Sequence, residues 1–422
     1  MGGIFHLQED RPTPSSVYNW RVYACAAVAS FAAITIGYDS AFIGTTLALP
    51  SFTKEFQFAK LTANDLNLTK SNIVSVYQAG AFFGSFLAYA VAHYLGRKKG
   101  LIGFSFIFLI GSGIMLGANT ARGLGLIYVG RVLAGLGVGG ASMLTPIYIS
   151  EISPPAVRGC LVGIYELGWQ IGGLVGFWIN YGVQLDQAGN PNSWLIPFAV
   201  QLIPSAFLFF GALWIKESPR WLYLRGHREQ ALRNLCWIRQ LSSNDIYIIE
   251  EVNSVDNAIE YQRNTVGLGF WQPFKAVALN SSVLWRFVIG ALLFLFQNGT
   301  GINAINYYSP TVFASIGITG TNTGFLTTGL FGVVKTVVTL VWITVLIDQL
   351  GRRKLLIIGA AGGSFCMWVI AIYIKIAGTH TTSNTATQAS LTPGGIAAIV
   401  FFYLWTACYT PTWNGTPWVL NR

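Results

Sequence analysis

Ten apolar stretches, each long enough to cross a bilayer as a helix, constrain this chain more than any other feature. They lie at about 22–49, 71–94, 101–118, 124–150, 160–183, 194–215, 283–312, 322–347, 355–376 and 393–420. A backbone in hydrocarbon has no water to bond to, so a run of this length folds as a helix bonded to itself. Composition agrees: 53% of the 422 residues are hydrophobic and 10% are charged, where a soluble protein carries about a quarter charged residues. The predicted fold class is all-α, a polytopic membrane protein.

The eighth stretch holds an anomaly. Residues 329–346 read "GLFGVVKTVVTLVWITVL", eighteen residues with one charge, Lys335. It precedes Asp348 by thirteen residues, ~20 Å along a helix rising 1.5 Å per residue. That is too deep for its amine to reach headgroups by snorkelling. A lysine at a helix centre costs roughly 2.5–3.5 kcal/mol on insertion scales.

The formal net charge of +10 does not indicate nucleic acid, because the basic excess sits in loops beside apolar runs. Arg97, Lys98 and Lys99 follow the second stretch, Arg352, Arg353 and Lys354 follow the eighth, and segment 216–282 holds eight Lys/Arg. The opposite loops 119–123 and 313–321 hold Arg122 and no charge, respectively. The positive-inside rule puts the basic loops and the N-terminus in the cytosol. Asn67-Leu68-Thr69 then falls in the first outer loop, as a glycosylation site or an unused sequon. Five scattered cysteines show neither metal spacing nor a disulfide framework, and no cofactor or metal is expected. The first twenty residues are polar, with Glu9, Asp10 and Arg11, unlike a cleavable signal peptide.

The chain repeats itself. "LGRKKGLIG" (95–103) closes the second stretch and "LGRRKLLII" (350–358) the eighth, on either side of the long polar segment. Two related halves mark a transporter with its site between them. The predicted organisation is a cytosolic N-terminus (1–21), a six-helix bundle (22–215), a cytosolic linker of short amphipathic helices (216–282) and a second bundle (283–422). The linker reads as a solvated connector.

The motifs resemble those of the sugar porter branch of the major facilitator superfamily. "GYDSAFIG" (37–44) is similar to its helix 1 motif, "GRVLAGLGVGG" (130–140) to helix 4, "PIYISEISPPAVRG" (146–159) to the turn after helix 4 and "KESPRWL" (216–222) to the signature after helix 6. "QNGTGINAINYYSP" (297–310) resembles helix 7 and "NGTPWVL" (414–420) helix 10. Within the branch, "YELGWQIGGLVGFWINYG" and "GVVKTV" look like the fungal quinate permeases. Three departures stand out: His93 where the family has an acid, Asn298 in place of the second glutamine of helix 7, and a chain stopping at Arg422, where the family continues through helices 11 and 12. A truncated gene model, defective in transport, is the expectation for that last departure.

The resemblance implies proton-coupled import of quinate, a polyhydroxylated cyclic carboxylate, across the plasma membrane by a protein acting as a monomer in the lipid bilayer. It implies that Asp39 and Arg131 couple the proton. A carboxylate keeps its charge beside an arginine and takes a proton once the arginine moves away in apolar surroundings. Gln170, Gln297, Asn298, Asn303 and Trp418 match sugar-contacting positions, and amides suit a ligand dense in hydroxyls. Glu166, Asn180, Asn306 and Tyr307 are substrate contacts or structural ties. Asn303, Asn306 and Tyr307 share one helical face by spacing, and Gly299 and Gly301 let helix 7 unwind beside them. Arg97, Glu151, Arg158, Glu217, Arg220, Asp348 and Arg352 are expected to form a cytosolic charge latch, and cytosolic lysines to serve ubiquitin-dependent turnover.

Three readings of Lys335 stay open: facing a watery vestibule alone, pairing with Glu166, or meeting a substrate carboxylate. No nucleophile–base set or P-loop indicates an enzyme. A passive or proton-coupled hexose or polyol carrier, or a nutrient sensor on the same fold, is the alternative function.

Overall fold

The computed structural model describes residues 9, 12–187, 189–315, 321–342, 352–377 and 393–415. Helix dominates these residues and none forms a strand. Among the described residues ten helices are long and apolar enough to cross a membrane. In the first half they are α1 (Trp20–Thr46), α2 (Ala63–Tyr94), α3 (Arg97–Leu116), α4 (Gly125–Ile152), α5 (Arg158–Asp186) and α6 (Leu195–Trp214). The linker forms α7 (Pro219–Leu224), α8 (Arg228–Arg239), α9 (Ile246–Thr265) and α10 (Gln272–Leu279). The second half contains α11 (Ser281–Gly299), α12 (Ile302–Ser315), α13 (Thr321–Val341), α14 (Arg352–Ala377) and α15 (Pro393–Tyr409), the last running into a π-helical turn at Thr410–Asn414.

Small residues set the packing. α2 and α4 meet so closely that a Cβ on Gly84 would come within 2.2 Å of the Leu136 carbonyl oxygen, and one on Gly139 within 2.0 Å of that of Ala81. Reciprocal small residues four apart are how helices pack tightly where lipid supplies no hydrophobic drive. α1 lies along α5, and α3 against α4 and α6. The halves meet chiefly where α13 packs against α5 and α12 against α1. Gly44 on α1 touches the Tyr307 backbone there, leaving no room for a side chain. Large apolar side chains such as Phe82, Phe86, Phe207 and Phe210 point outward, as a lipid-facing surface requires.

The structure corrects several boundaries. Asn67 is not in a loop: α2 starts at Ala63, where the Thr62 hydroxyl accepts from the Asp65 backbone N–H and donates to its carboxylate. Such a cap extends the helix beyond its apolar part. The run 283–312 is two helices, broken at Thr300–Gly301, where Gly301 takes φ +82°. That is the unwinding expected from the two glycines. The linker is more than a solvated connector. Arg239, 1% exposed, pairs with Glu251 and donates to the Ile152 carbonyl at the end of α4. Asn19 and Arg21, at the start of α1, donate to the Ile238 and Trp237 carbonyls.

Candidate functional site

α1 and α4 bring Asp39 and Arg131 together inside the first half. One guanidinium nitrogen donates to both carboxylate oxygens, at 2.7 and 2.8 Å, and both side chains are fully buried. The guanidinium also donates to the Ile73 carbonyl and lies 4.2 Å over the Tyr77 ring. The two charges balance within this half, although Arg131 Nη2 is buried without a hydrogen-bond partner.

A second polar cluster lies on the seam between the halves. Glu166 and Gln170, one turn apart on α5, are bonded at 2.8 Å, with the amide donating to Oε1. Asn414, from the π turn, donates to the same oxygen. Gln297 on α11 holds that turn by donating to the Trp413 and Asn414 carbonyls at 2.9 and 3.0 Å. On α13, Lys335 donates to Asn306 Oδ1 at 3.2 Å and rests against the Phe331 ring. Thr336 beside it reaches the Gln170 carbonyl. Glu166 and Lys335 are 5% and 6% exposed. They attract one another but form no ion pair: each spends its bonds on neutral amides.

Not every predicted residue joins the cluster. Asn306 and Tyr307 are buried, the latter accepting from Gln78 on α2 at 2.5 Å. Asn303 is exposed and donates to Asn298, itself bonded to the Phe294 carbonyl. The shared face expected of Asn303, Asn306 and Tyr307 is therefore split. Asn303 sits in the first turn after the Gly301 break, and its amide folds back across it. Asn180 is a tie between α1 and α5: its amide donates to the Phe42 and Gly176 carbonyls and accepts from Thr46. Trp418 and Asp348 lie outside the described residues, as does the side chain of Arg352. Sequence reasoning missed Gln78 and Asn414. Both are uncharged amides, and nothing local marks one that bonds a partner two hundred residues away.

The linker-side junction is built around Gly96, at φ +96° between α2 and α3. A Cβ there would meet the Glu217 carboxylate at 2.4 Å. With only hydrogen at that point, Glu217 caps α3: its oxygens accept from the backbone N–H groups of Arg97, Lys98 and Ser218. A carboxylate is favoured at a helix N-terminus, where N–H groups are unpaired and the dipole is positive. Burial nonetheless pushes the Glu217 carboxyl above its ordinary range, against these N–H bonds and the nearby Arg97 charge. The Arg97 guanidinium forks onto Glu151 at 2.7 and 2.9 Å. Arg158 opens α5 and reaches the Ser153 carbonyl, whereas Arg220 is exposed.

Polar side chains cost free energy in a bilayer and persist where they line a path for solute or ion. A bundle that gathers them on the seam between two related halves defines the class of membrane transporters. The chain belongs to the sugar (and other) transporter family, within the major facilitator superfamily: that family's model matches residues 25–422. It is 66% identical over 419 residues to a quinate permease of Neurospora terricola, covering 99% of this chain and 78% of the relative. An MFS-type transporter, qa-x, of Neurospora crassa gives the same identity and coverage. Among solved structures it is similar to the proton:xylose symporter XylE bound to 6-bromo-6-deoxy-D-glucose, with TM-score 0.78 and 26% identity, covering 94% of this chain and 81% of that one. A partially occluded inward-open form of the xylose transporter XylE from E. coli matches with TM-score 0.73 and 26% identity, covering 94% and 86%. The protein is thus a multi-pass membrane transporter of small molecules.

Proposed function

We propose that this transporter imports quinate with protons by alternating access, feeding quinate catabolism. The observation that carries the reading is Lys335: a buried ammonium on the seam between the halves, bonded to an amide and held off its nearest carboxylate. A charge-assisted bond to a substrate carboxylate is roughly twice as strong as a neutral one. The amides of Gln170, Gln297 and Asn306 suit the ring hydroxyls. The quinate permease name carried by a relative at 66% identity supports the same substrate. An anion entering a negative interior works against roughly 2.3 kcal/mol per 100 mV, and a proton moving with it removes that opposition. Asp39 and Arg131 serve as the proton-coupling pair. Residues 22–215 and 283–422 act as the two moving bundles, and Arg97, Glu151, Arg158, Glu217 and Arg220 as a latch on the cytosolic face.

In this reading the protein works as a monomer in the plasma membrane with a cytosolic N-terminus, subject to ubiquitin-dependent turnover. Uptake of radiolabelled quinate and glucose, with and without a protonophore, tests the function. Quinate should accumulate and the protonophore should abolish its accumulation. Accumulation of glucose in preference to quinate would reject the substrate, and indifference to the protonophore would reject the coupling.

A further inference from the structure

We infer that Glu166 takes up one proton each time an anionic substrate settles beside Lys335, a proton separate from any held at Asp39. The inference rests on the anionic-substrate reading above and adds a proton-binding site to it. Among the described residues the charged side chains at the seam are Glu166 on α5 and Lys335 on α13, both more than nine-tenths buried. The other groups around Glu166 are neutral: Gln170 on its own helix, Asn414 from the π turn, and the phenols of Tyr165 and Tyr409, which feel its charge. α11 contributes the amide of Gln297 and α12 that of Asn306. α1 runs along α5, but its Asp39 is committed to Arg131.

Charge counting follows from that inventory. Empty, the site holds one ammonium and one carboxylate and is neutral. A substrate carboxylate bonded to Lys335 brings the sum to −1 in a dry interior, where an uncompensated charge is strongly disfavoured. A proton from the medium binding Glu166 returns the sum to zero: ammonium, substrate carboxylate and neutral carboxyl. The geometry leaves a place for it. Both protein donors go to Oε1, so Oε2 can be protonated without breaking either bond. The O–H formed becomes a donor facing a ligand rich in hydroxyls. Release reverses the sequence: substrate departs, Glu166 gives up its proton, and the two charges again balance across the seam. An ion pair already closed between Glu166 and Lys335 would have to be broken first; their separation removes that step.

Calorimetric titration of the purified full chain in buffers of different ionisation enthalpy reads the proton directly. At about pH 8, quinate binding should take up about one proton per ligand, and binding of a neutral cyclitol none. Glu166→Gln should bind quinate without proton uptake, whereas Asp39→Asn should keep the uptake. Quinate binding to the unaltered protein without proton uptake would overturn the inference while leaving the substrate reading intact. So would undiminished uptake in Glu166→Gln or its loss in Asp39→Asn. If Glu166→Gln does not fold, Lys335→Arg decides: its guanidinium stays charged throughout, so retained uptake assigns the proton to Glu166 and lost uptake would overturn the inference. Failure of quinate to bind would defeat the substrate reading itself.

Discussion

The two buried charge centres are built in opposite ways. Asp39 and Arg131 lie within one half of the molecule, fully buried and joined by two bonds from one guanidinium nitrogen. Glu166 and Lys335 stand on different halves, and each is bonded to neutral amides. A desolvated charge is costly, and pairing recovers much of that cost. The first centre is therefore balanced in charge and can hold its half together with no ligand present. The second forgoes direct pairing, and its stability depends on what else enters the seam. Charges arranged in that way suit recognition better than architecture.

Breaking the first centre should have the largest effect. Arg131→Leu leaves Asp39 buried without its counter-ion, which costs about 3–5 kcal/mol, a large fraction of the whole stability of a typical domain. The expected result is loss of the monodisperse peak in detergent size-exclusion chromatography. Asp39→Asn keeps an acceptor oxygen for the guanidinium; it should fold, lose proton-driven accumulation and retain exchange. Normal folding and accumulation by Arg131→Leu would show that the pair matters for neither purpose.

The second centre should respond differently. Lys335→Asn breaks no ion pair, so its chromatographic profile should match the parent. Its affinity for quinate should fall well over tenfold, at about 1.4 kcal/mol per factor of ten, and its exclusion of neutral polyols should relax. Lys335→Arg should also lose affinity, because a planar guanidinium needs another geometry. Competition of unlabelled ligands against radiolabelled quinate measures both. Normal quinate transport by Lys335→Asn, with Glu166→Gln misfolding unless Lys335 is also neutralised, would make the lysine a structural counter-ion and erase the contrast.

Which parts were legible in the sequence follows from the range of the interactions. Spans are written locally, as apolar length bounded by charge, and each of the ten stretches holds one of the ten long helices among the described residues, with 283–312 carrying α12 as well. The break in helix 7 was legible because Gly301 alone tolerates its φ of +82°. The start of α2 was not, because the Thr62–Asp65 cap continues a helix through polar residues that hydropathy treats as loop. Lys335 announced itself by the cost of its charge, and Asp39, Arg131 and Glu166 stood out through the family resemblance. Their partners did not. Asn306 and Asn303 are the same residue type three positions apart, yet one bonds Lys335 and the other folds onto Asn298. At the junction the expected partner of Glu217 was a charge, and its bonds go to backbone N–H groups. Backbone donors look alike in every sequence.

Asn180 provides a graded control between the two centres. All its bonds are internal, to Thr46, Phe42 and Gly176, so like the first centre it is bonded within its own half, but it carries no charge. Asn180→Ala leaves buried groups unpaired, at about 1–3 kcal/mol. The melting temperature should drop measurably, while the ratio of quinate to polyol binding stays constant. A changed ratio with an unchanged melting temperature would move Asn180 from tie to substrate contact.

The smallest effect is expected at the linker-side junction, where a charge is capped by backbone instead of by a partner or a ligand. Burial raises the Glu217 carboxyl above its ordinary value, so the closed junction binds its proton more tightly than an open, hydrated one. Its stabilising contribution is present at low pH and is lost as pH rises through the raised value, so mild acid should favour closure. Hydrogen exchange at the amides of Arg97, Lys98 and Ser218, which donate to Glu217, reads this after correction for intrinsic rates. Protection should weaken as pH increases in the parent and lose that dependence in Glu217→Gln. Gly96→Ala should lower protection at every pH, since its methyl would sit 2.4 Å from Glu217 Oε2 at a φ of +96°. Protection that strengthens with rising pH would mean that the three N–H bonds and Arg97 outweigh burial, making this carboxylate a closed centre like Asp39.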